Sequence, residues 1–361
     1  MTGRRRQLVV GFGAAGALLV VLLLAVGPER VADRLSRTDP AVFSLGFLAV
    51  LGALWCWSTA LAQLLGVDGQ IGDLRYRAAY MTAEFVKKIL PMGQVAAPLF
   101  LAYLVSRETE ASYERALAAT SVFALLNVAT SIVLATLALA ALVASGADLG
   151  GPVFAGLLAV LVVSATVVVT VFVLVRVRRT VLERLANRLA GGVRGTVGRL
   201  SGRVRGALAP ERIREAVDDL SASVDVVFAN WQGVVLAGAL SVVGWALFLT
   251  PIYTSVLALG EHVPYALVAF VVPLVLLVNV VPLPGGFGGF DVAVAALLTH
   301  FGDISLPTAA AALFLYRLSN YWFVVLLGGV SSAALSVDID DPPPVLDGEE
   351  GDLVDPDSRA S

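Results

Sequence analysis

Apolar residues run in long blocks along most of this chain, and polar residues collect in the gaps between them. A block longer than about 18 residues can cross about 30 Å of hydrocarbon as a helix. Six blocks predict such spans, at 7–26, 41–65, 116–144, 152–175, 231–259 and 309–335. Two further apolar regions, 79–104 and 265–300, are interrupted by Pro and Gly, at "ILPMGQ" and at "NVVPLPGGFGGFD". The first block follows three arginines, as a signal peptide does. Its apolar stretch from Leu8 to Val26 is too long for that role and "VGPER" is a poor cleavage site, so a retained span is expected.

Charge sets the orientation. Eleven arginines lie between Arg176 and Arg214, and Arg4, Arg5 and Arg6 precede the first span. The positive-inside rule puts both segments in the cytoplasm. Counting crossings from Arg4 then leaves 79–104 beginning and ending on the inside, so it enters and returns. Treating 265–300 in the same way brings the last span back to the inside. The result is an all-α, polytopic helical bundle of six full spans and two broken re-entrant hairpins, with both termini cytoplasmic and the cell membrane as location. Arg30, Arg34 and Arg37 oppose this count, since they fall outside. The other reading of each interrupted region is a loop between two short spans, with Pro and Gly turning the chain.

Each half of the count reads span, span, broken hairpin, span, and the halves begin on opposite sides. That is an inverted repeat, with halves at about 7–144 and 152–335 inside a membrane domain of residues 1–336. In transporters of this design, Pro/Gly-broken segments at matching positions point to a substrate site near the midplane. Irregular backbone at that depth needs protein or a wet cavity beside it. A helix restarting near Phe290 would also aim its free N–H groups at the break, a setting that favours an anion. Residues 337–361 carry nine carboxylates and one arginine, and are expected to form a disordered tail.

Composition agrees with the class: 58% hydrophobic, 15% charged and a mean hydropathy of +0.85. The only cysteine is Cys56, and His262 and His300 have no partner at metal-ligand spacing. Ionisable groups inside spans are costly and are functional candidates by default. Asp291 follows the glycines of the second break, Arg317 lies within the last span, and Glu84, Lys87 and Lys88 precede the first break. Asp291 and Arg317 are expected to share one polar cluster; a structural ion pair or snorkelling is the plainer role for Arg317. For the lysines the plainer role is an interfacial anchor at the hairpin entry, and the alternative is attraction of a lipid phosphate. Asn127, Asn279 and Asn320 are expected to form helix–helix hydrogen bonds.

These motifs resemble the flippase-like membrane region of lysylphosphatidylglycerol synthases, a family with many stand-alone archaeal and bacterial members. Its later motif is similar to P-G-G-x-G-x-x-E followed by R-x-x-x-Y-W. Pro284, Gly285, Gly286 and Gly288 match, Asp291 stands at the acidic position, and Arg317, Tyr321 and Trp322 match the second part. Its earlier motif is similar to L-P-x-G-x-x-G-E. Leu90, Pro91 and Gly93 match it, but Ala96, Ala97 and Pro98 replace the end, including the acid. The resemblance implies movement of lipids or polyprenol-phosphate-linked groups between leaflets. Its motif positions together with the charged and polar groups inside the spans give the expected substrate site: Arg317, Asp291, Pro284, Gly285, Gly286, Gly288, Pro91, Gly93, Lys87, Lys88, Glu84 and Asn320.

Three function classes follow. The leading one is a non-enzymatic lipid translocase without a cofactor, since the nucleotide-binding pattern GxxxxGK[ST] is absent. The second is a membrane-embedded enzyme acting on lipid phosphate, which would need a nucleophile or metal cluster. The third is a structural or regulatory partner of another membrane enzyme. Membrane lipids are the expected partners, and nucleic acid is not.

Overall fold

The computed structural model describes residues 28–67, 73–89, 93–147, 150–177, 227–278 and 289–335. The expected first span, most of the arginine-rich loop, both Pro/Gly breaks and the acidic tail lie outside them. The described elements are all helical: α1 (Pro28–Ser36), α2 (Pro40–Leu65), α3 (Leu74–Ile89), α4 (Gly93–Glu108), α5 (Tyr113–Ala144), α6 (Pro152–Val177), α7 (Trp231–Ala258), α8 (Tyr265–Val278), α9 (Gly289–Gly302), α10 (Leu306–Tyr316), a π-helical turn (Arg317–Trp322) and α11 (Phe323–Ala334). The last three form one continuous span.

Local chemistry sets the ends. Asp39 caps α2 by accepting from the amides of Ala41 and Val42, with Pro40 opening the helix. Gly66 ends it in the left-handed region at φ 67°, where a Cβ is unfavourable. Ser112 and Ser305 cap α5 and α10 through the amides of Arg115 and Thr308.

Among the described residues five helices are long and apolar enough to cross a membrane: 40–65, 113–144, 152–170, 231–258 and 306–334. They coincide with five of the six expected spans, and the protein is a multi-pass membrane protein. The shorter helices settle the hairpins. With 16 residues each, α3 and α4 extend only about 24 Å, and α8 and α9, with 14 each, about 21 Å. None reaches across about 30 Å of hydrocarbon. Arg75 at the start of α3 lies 3.8 Å from Glu108 at the end of α4. A Cβ on Gly302, ending α9, would sit 2.9 Å from Val263 just before α8. Each pair therefore returns to the side it came from. The first hairpin is longer than its apolar signal at 79–104, because Arg75 and Arg77 in its first turns lower the hydropathy there.

The longest packing interface joins α2 to α7. They run antiparallel, since the Asp39 amide at the head of α2 donates to the Ala258 carbonyl at the tail of α7, at 2.8 Å. Other pairings recur in matched sets. The first hairpin packs α3 on α4 and α4 on α5; the second packs α8 on α9 and α9 on α10. Each hairpin also crosses to the other half's last span, α3 to α11 and α8 to α5. Two apolar cores follow, one around each hairpin. Equivalent helices that exchange partners and run antiparallel are the arrangement an inverted repeat produces.

Small residues allow the close crossings. A Cβ on Gly244 of α7 would meet the Trp57 indole of α2 at 2.5 Å, and one on Gly328 of α11 would strike the Met81 carbonyl and the Phe85 side chain of α3. Outside the core, Arg34 of α1 pairs with Glu261 after α7 at 3.3 Å, and Arg37 pairs with Asp33 at 3.0 Å. The arginines that opposed the charge rule therefore include two in ion pairs. A shallow open depression beside them, lined by Glu29, Asp33, Arg34, Ser305 and Pro307, lies apart from the buried charges described next.

Candidate functional site

The last span is interrupted at its centre. From Arg317 to Trp322 the backbone makes a π-helical turn, with Arg317, Ser319, Asn320 and Tyr321 buried. A π turn inserts one residue into the helical repeat and recurs at functional sites. Its polar residues Arg317, Ser319 and Asn320 face the protein interior, while Leu318 and Trp322 face outward.

Arg317 meets Asp291. Its Nε donates to Oδ1 at 2.9 Å and its Nη2 to Oδ2 at 2.8 Å. Asp291 is 1% exposed and Arg317 7%. The planar fork matches the carboxylate bidentately, the strongest geometry available to such a pair. Asp291 lies in the first turn of α9, directly after the second break, where the helix dipole also favours a carboxylate. Phe290, Tyr316 and Tyr321 surround the guanidinium, with ring centroids 5.4, 6.0 and 6.0 Å from Cζ.

The other end of the turn meets the first hairpin. Lys88, in the last turn of α3, donates from Nζ to Asn320 Oδ1 at 3.3 Å and lies 5.6 Å from the Tyr321 ring centroid. The Tyr321 hydroxyl donates to the Lys88 carbonyl at 3.4 Å. Asn320 is the midpoint of the span Leu306–Ala334, so this amine sits halfway along that span. That corrects the anchor expected at the hairpin entry: α3 enters at Leu74, and Lys88 is at its inner end. Lys87 has a different partner, Glu84, at 3.1 Å.

One turn of the last span thus holds the end of the first hairpin's entering arm and the start of the second hairpin's returning arm. Of the expected site residues, the structure joins Asp291 with Arg317 and Lys88 with Asn320, and sets Glu84 and Lys87 together as a separate pair. Gly93 opens α4. Pro91, Pro284, Gly285, Gly286 and Gly288 lie outside the described residues, as does Asn279. Asn127 bonds its own helix, donating to the Phe123 carbonyl at 3.2 Å, while its backbone carbonyl accepts from the Trp245 indole at 2.9 Å. The expected helix–helix bond therefore runs through its backbone.

One buried cation was not singled out from sequence. Arg77 of α3, 6% exposed, donates to the Trp55 carbonyl at 3.1 Å, to the Ser58 hydroxyl and to Thr59 Oγ1 at 2.9 Å, and stacks 3.9 Å above the Trp55 ring. It fastens the first hairpin to α2. Its signal in the sequence is an arginine between two tyrosines inside a region flanked by apolar residues. Among the described residues no group of three His, Cys, Asp or Glu side chains could hold a metal.

A family profile described as the lysylphosphatidylglycerol synthase TM region matches residues 8–328. The chain belongs to that family. A UPF0104 membrane protein from Methanothermobacter thermautotrophicus is 24% identical over 328 residues, covering 87% of this chain and 93% of the relative. A second UPF0104 membrane protein from that organism is 27% identical over 115 residues, covering 32% of this chain and 34% of the relative. No solved structure matches the chain. Membership in the lysylphosphatidylglycerol synthase TM-region family covers both hairpins and the last span through Gly328, and so includes the π turn and its two polar contacts.

Proposed function

We propose that this chain is a translocase that moves an anionic-headed lipid, or a lipid-linked group, between leaflets of the cell membrane. The observation that carries the reading is the shared turn at mid-span. Two short hairpins that stop inside the membrane are tied to one π turn by charged groups, the buried pair Asp291–Arg317 on one side and the half-buried Lys88 with Asn320 on the other. Charged groups at this depth are expensive unless used. In inverted-repeat transporters the broken segments meet at the substrate site. Halves of about 7–144 and 152–335 with cytoplasmic termini would let the two hairpins exchange access between leaflets. Arg317 serves a phosphate as a planar, permanently charged fork, and Asp291 holds that fork in the empty protein.

Reconstitution tests it. Purified full-length protein in vesicles carrying a fluorescent phosphatidylglycerol is treated with a membrane-impermeant quencher. Quenching beyond the outer-leaflet fraction is expected, and Arg317→Lys is expected to slow it while the protein stays folded. Quenching that stops at the outer-leaflet fraction for phosphatidylglycerol, phosphatidate and a polyprenyl phosphate would sink the reading and favour a structural or regulatory role.

A further inference from the structure

We propose that the anion receptor of this site is the pair Lys88–Asn320, and that it takes the phosphate group of a lipid; the assignment rests on the proposed handling of an anionic lipid but is tested by binding alone. In the empty protein Arg317 spends Nε and Nη2 on Asp291, so it is not the group that first receives an arriving phosphate. Lys88 differs. Among the described residues no carboxylate lies within ion-pair distance of its amine. Glu84, one turn earlier on the same helix, is turned to Lys87 instead. The lysine has three N–H donors and one described acceptor, Asn320 Oδ1 at 3.3 Å.

Asn320 supplies the independent observation. It is 2% exposed, and among the described residues its Nδ2 has no hydrogen-bond partner. Buried amide donors are nearly always satisfied, so an orphan one calls for an explanation. Bonding Oδ1 to the lysine fixes the amide so that Nδ2 is left over. An ammonium and a carboxamide side by side thus offer several N–H groups and almost no acceptor. The missing partner is acceptor-rich and negative. A phosphate oxygen meets both requirements, and neutralises a cation that has no carboxylate partner among the described residues, halfway along the last span.

The position favours a lipid over a free ion. Asn320 faces inward from a turn whose Leu318 and Trp322 are exposed, at 36% and 51%. The receptor therefore lies within one helix diameter, about 10–12 Å, of the acyl phase. A lipid could leave its chains in the bilayer and bring only its head to Lys88. The Tyr321 ring beside the amine then shields the ion pair from the chains.

The experiment is calorimetric titration of the detergent-purified full chain with dihexanoyl phosphatidate, dihexanoyl glycerol and inorganic phosphate. Saturable binding of phosphatidate is expected, at least a hundredfold tighter than phosphate, and no binding of the phosphate-free glycerolipid. Lys88→Met and Asn320→Leu should each weaken phosphatidate binding tenfold or more, and Lys88→Arg should hold it within about threefold. Thermal unfolding without ligand separates this from a structural role. Removing a half-buried charge with no carboxylate partner among the described residues should leave the melting temperature of Lys88→Met unchanged or raised, whereas loss of a structural residue lowers it. Phosphatidate binding by Lys88→Met equal to wild type overturns the assignment, as does a lowered melting temperature in that variant. Equal affinity for inorganic phosphate overturns the lipid as its source. If phosphatidate binds as expected but vesicles show no translocation, the receptor stands and the transport reading falls.

Discussion

Breaking the Asp291–Arg317 pair one partner at a time should cost far more than removing both. The two contacts, at 2.8 and 2.9 Å, join groups that are 1% and 7% exposed. Deleting one partner of such a pair strands a buried charge, at a cost of about 3–5 kcal/mol. Replacing both by apolar groups of similar volume removes the Coulomb attraction and the desolvation penalty together, and is often neutral or stabilising. Arg317→Met and Asp291→Leu are therefore each expected to lose about 3–5 kcal/mol, and the double variant to recover most of it. The assay is equilibrium unfolding in mixed micelles with rising SDS fraction, read by helical circular dichroism. Arg317→Lys is the intermediate case, since charge is kept and the second fork bond is lost, at about 1.5–3 kcal/mol. Single variants that each cost under about 1 kcal/mol, with effects that add in the double, would show a solvated pair and refute the reasoning.

Three other outcomes follow from the packing. Gly328→Ala places a methyl group against the Met81 carbonyl and should cost about 1–3 kcal/mol by overpacking in the same unfolding assay, whereas Gly329→Ala, whose Cβ would meet only the Phe85 ring at 3.8 Å, should be near neutral. In a Cys56→Ala background, single cysteines at Arg75 and Glu108 should label from the same side of the membrane with an impermeant maleimide, because α3 and α4 return together; labelling from opposite sides would remove the re-entrant hairpin. Arg77→Met removes the hydrogen bonds to Trp55, Ser58 and Thr59. It should lower the melting temperature without changing the affinity for phosphatidate, and a selective loss of binding would move Arg77 into the site.

Span boundaries were legible because hydropathy reports directly on lipid: α2, α5, α6 and α7 begin and end within a few residues of their apolar blocks. The hairpins were legible from charge counting together with Pro and Gly, which explains why the weakly apolar α3 was found but begun too late. Asp291–Arg317 was legible because each charge alone would be prohibitive in a span. Lys88 was read toward the interface because sequence gives position along a helix but not which end lies deeper; that depends on the return of α4. The π turn has no hydropathy signature, since one inserted residue changes the backbone and not the composition of the span. Arg77 escaped because its partners are a carbonyl and hydroxyls from α2, which no charge pattern announces.

The two hairpins do not carry equal chemistry, and the difference predicts which of them moves. The capping serines Ser112 and Ser305 are 193 residues apart (305 − 112), as are Pro91 and Pro284, and Asn127 and Asn320. In that register Asp291 corresponds to Pro98 and Arg317 to Ala124. The second hairpin's returning arm, α9, is thus held to its span by a buried bidentate ion pair. Among the described residues, the first hairpin's returning arm, α4, is held at the matching place by one neutral hydrogen bond, Thr120 Oγ1 to the Pro98 carbonyl at 3.1 Å, and that hydroxyl also donates to Leu117. Two charge-assisted bonds contribute about 1.5–3 kcal/mol each, and a neutral one about 0.5–1.5. Pro98 further removes one amide from the α4 ladder. Release of α4 should therefore be easier than release of α9 by more than about 1.4 kcal/mol, a factor of ten in population. Hydrogen–deuterium exchange in nanodiscs measures this, as amides of 99–108 exchanging at least tenfold faster than those of 293–302. Substituting Asp for Pro98 and Arg for Ala124 together should slow α4 exchange and translocation alike. Equal protection of the two arms, or faster exchange in α9, would mean that the ion pair does not set which hairpin opens, and the moving element would have to be sought elsewhere in the bundle.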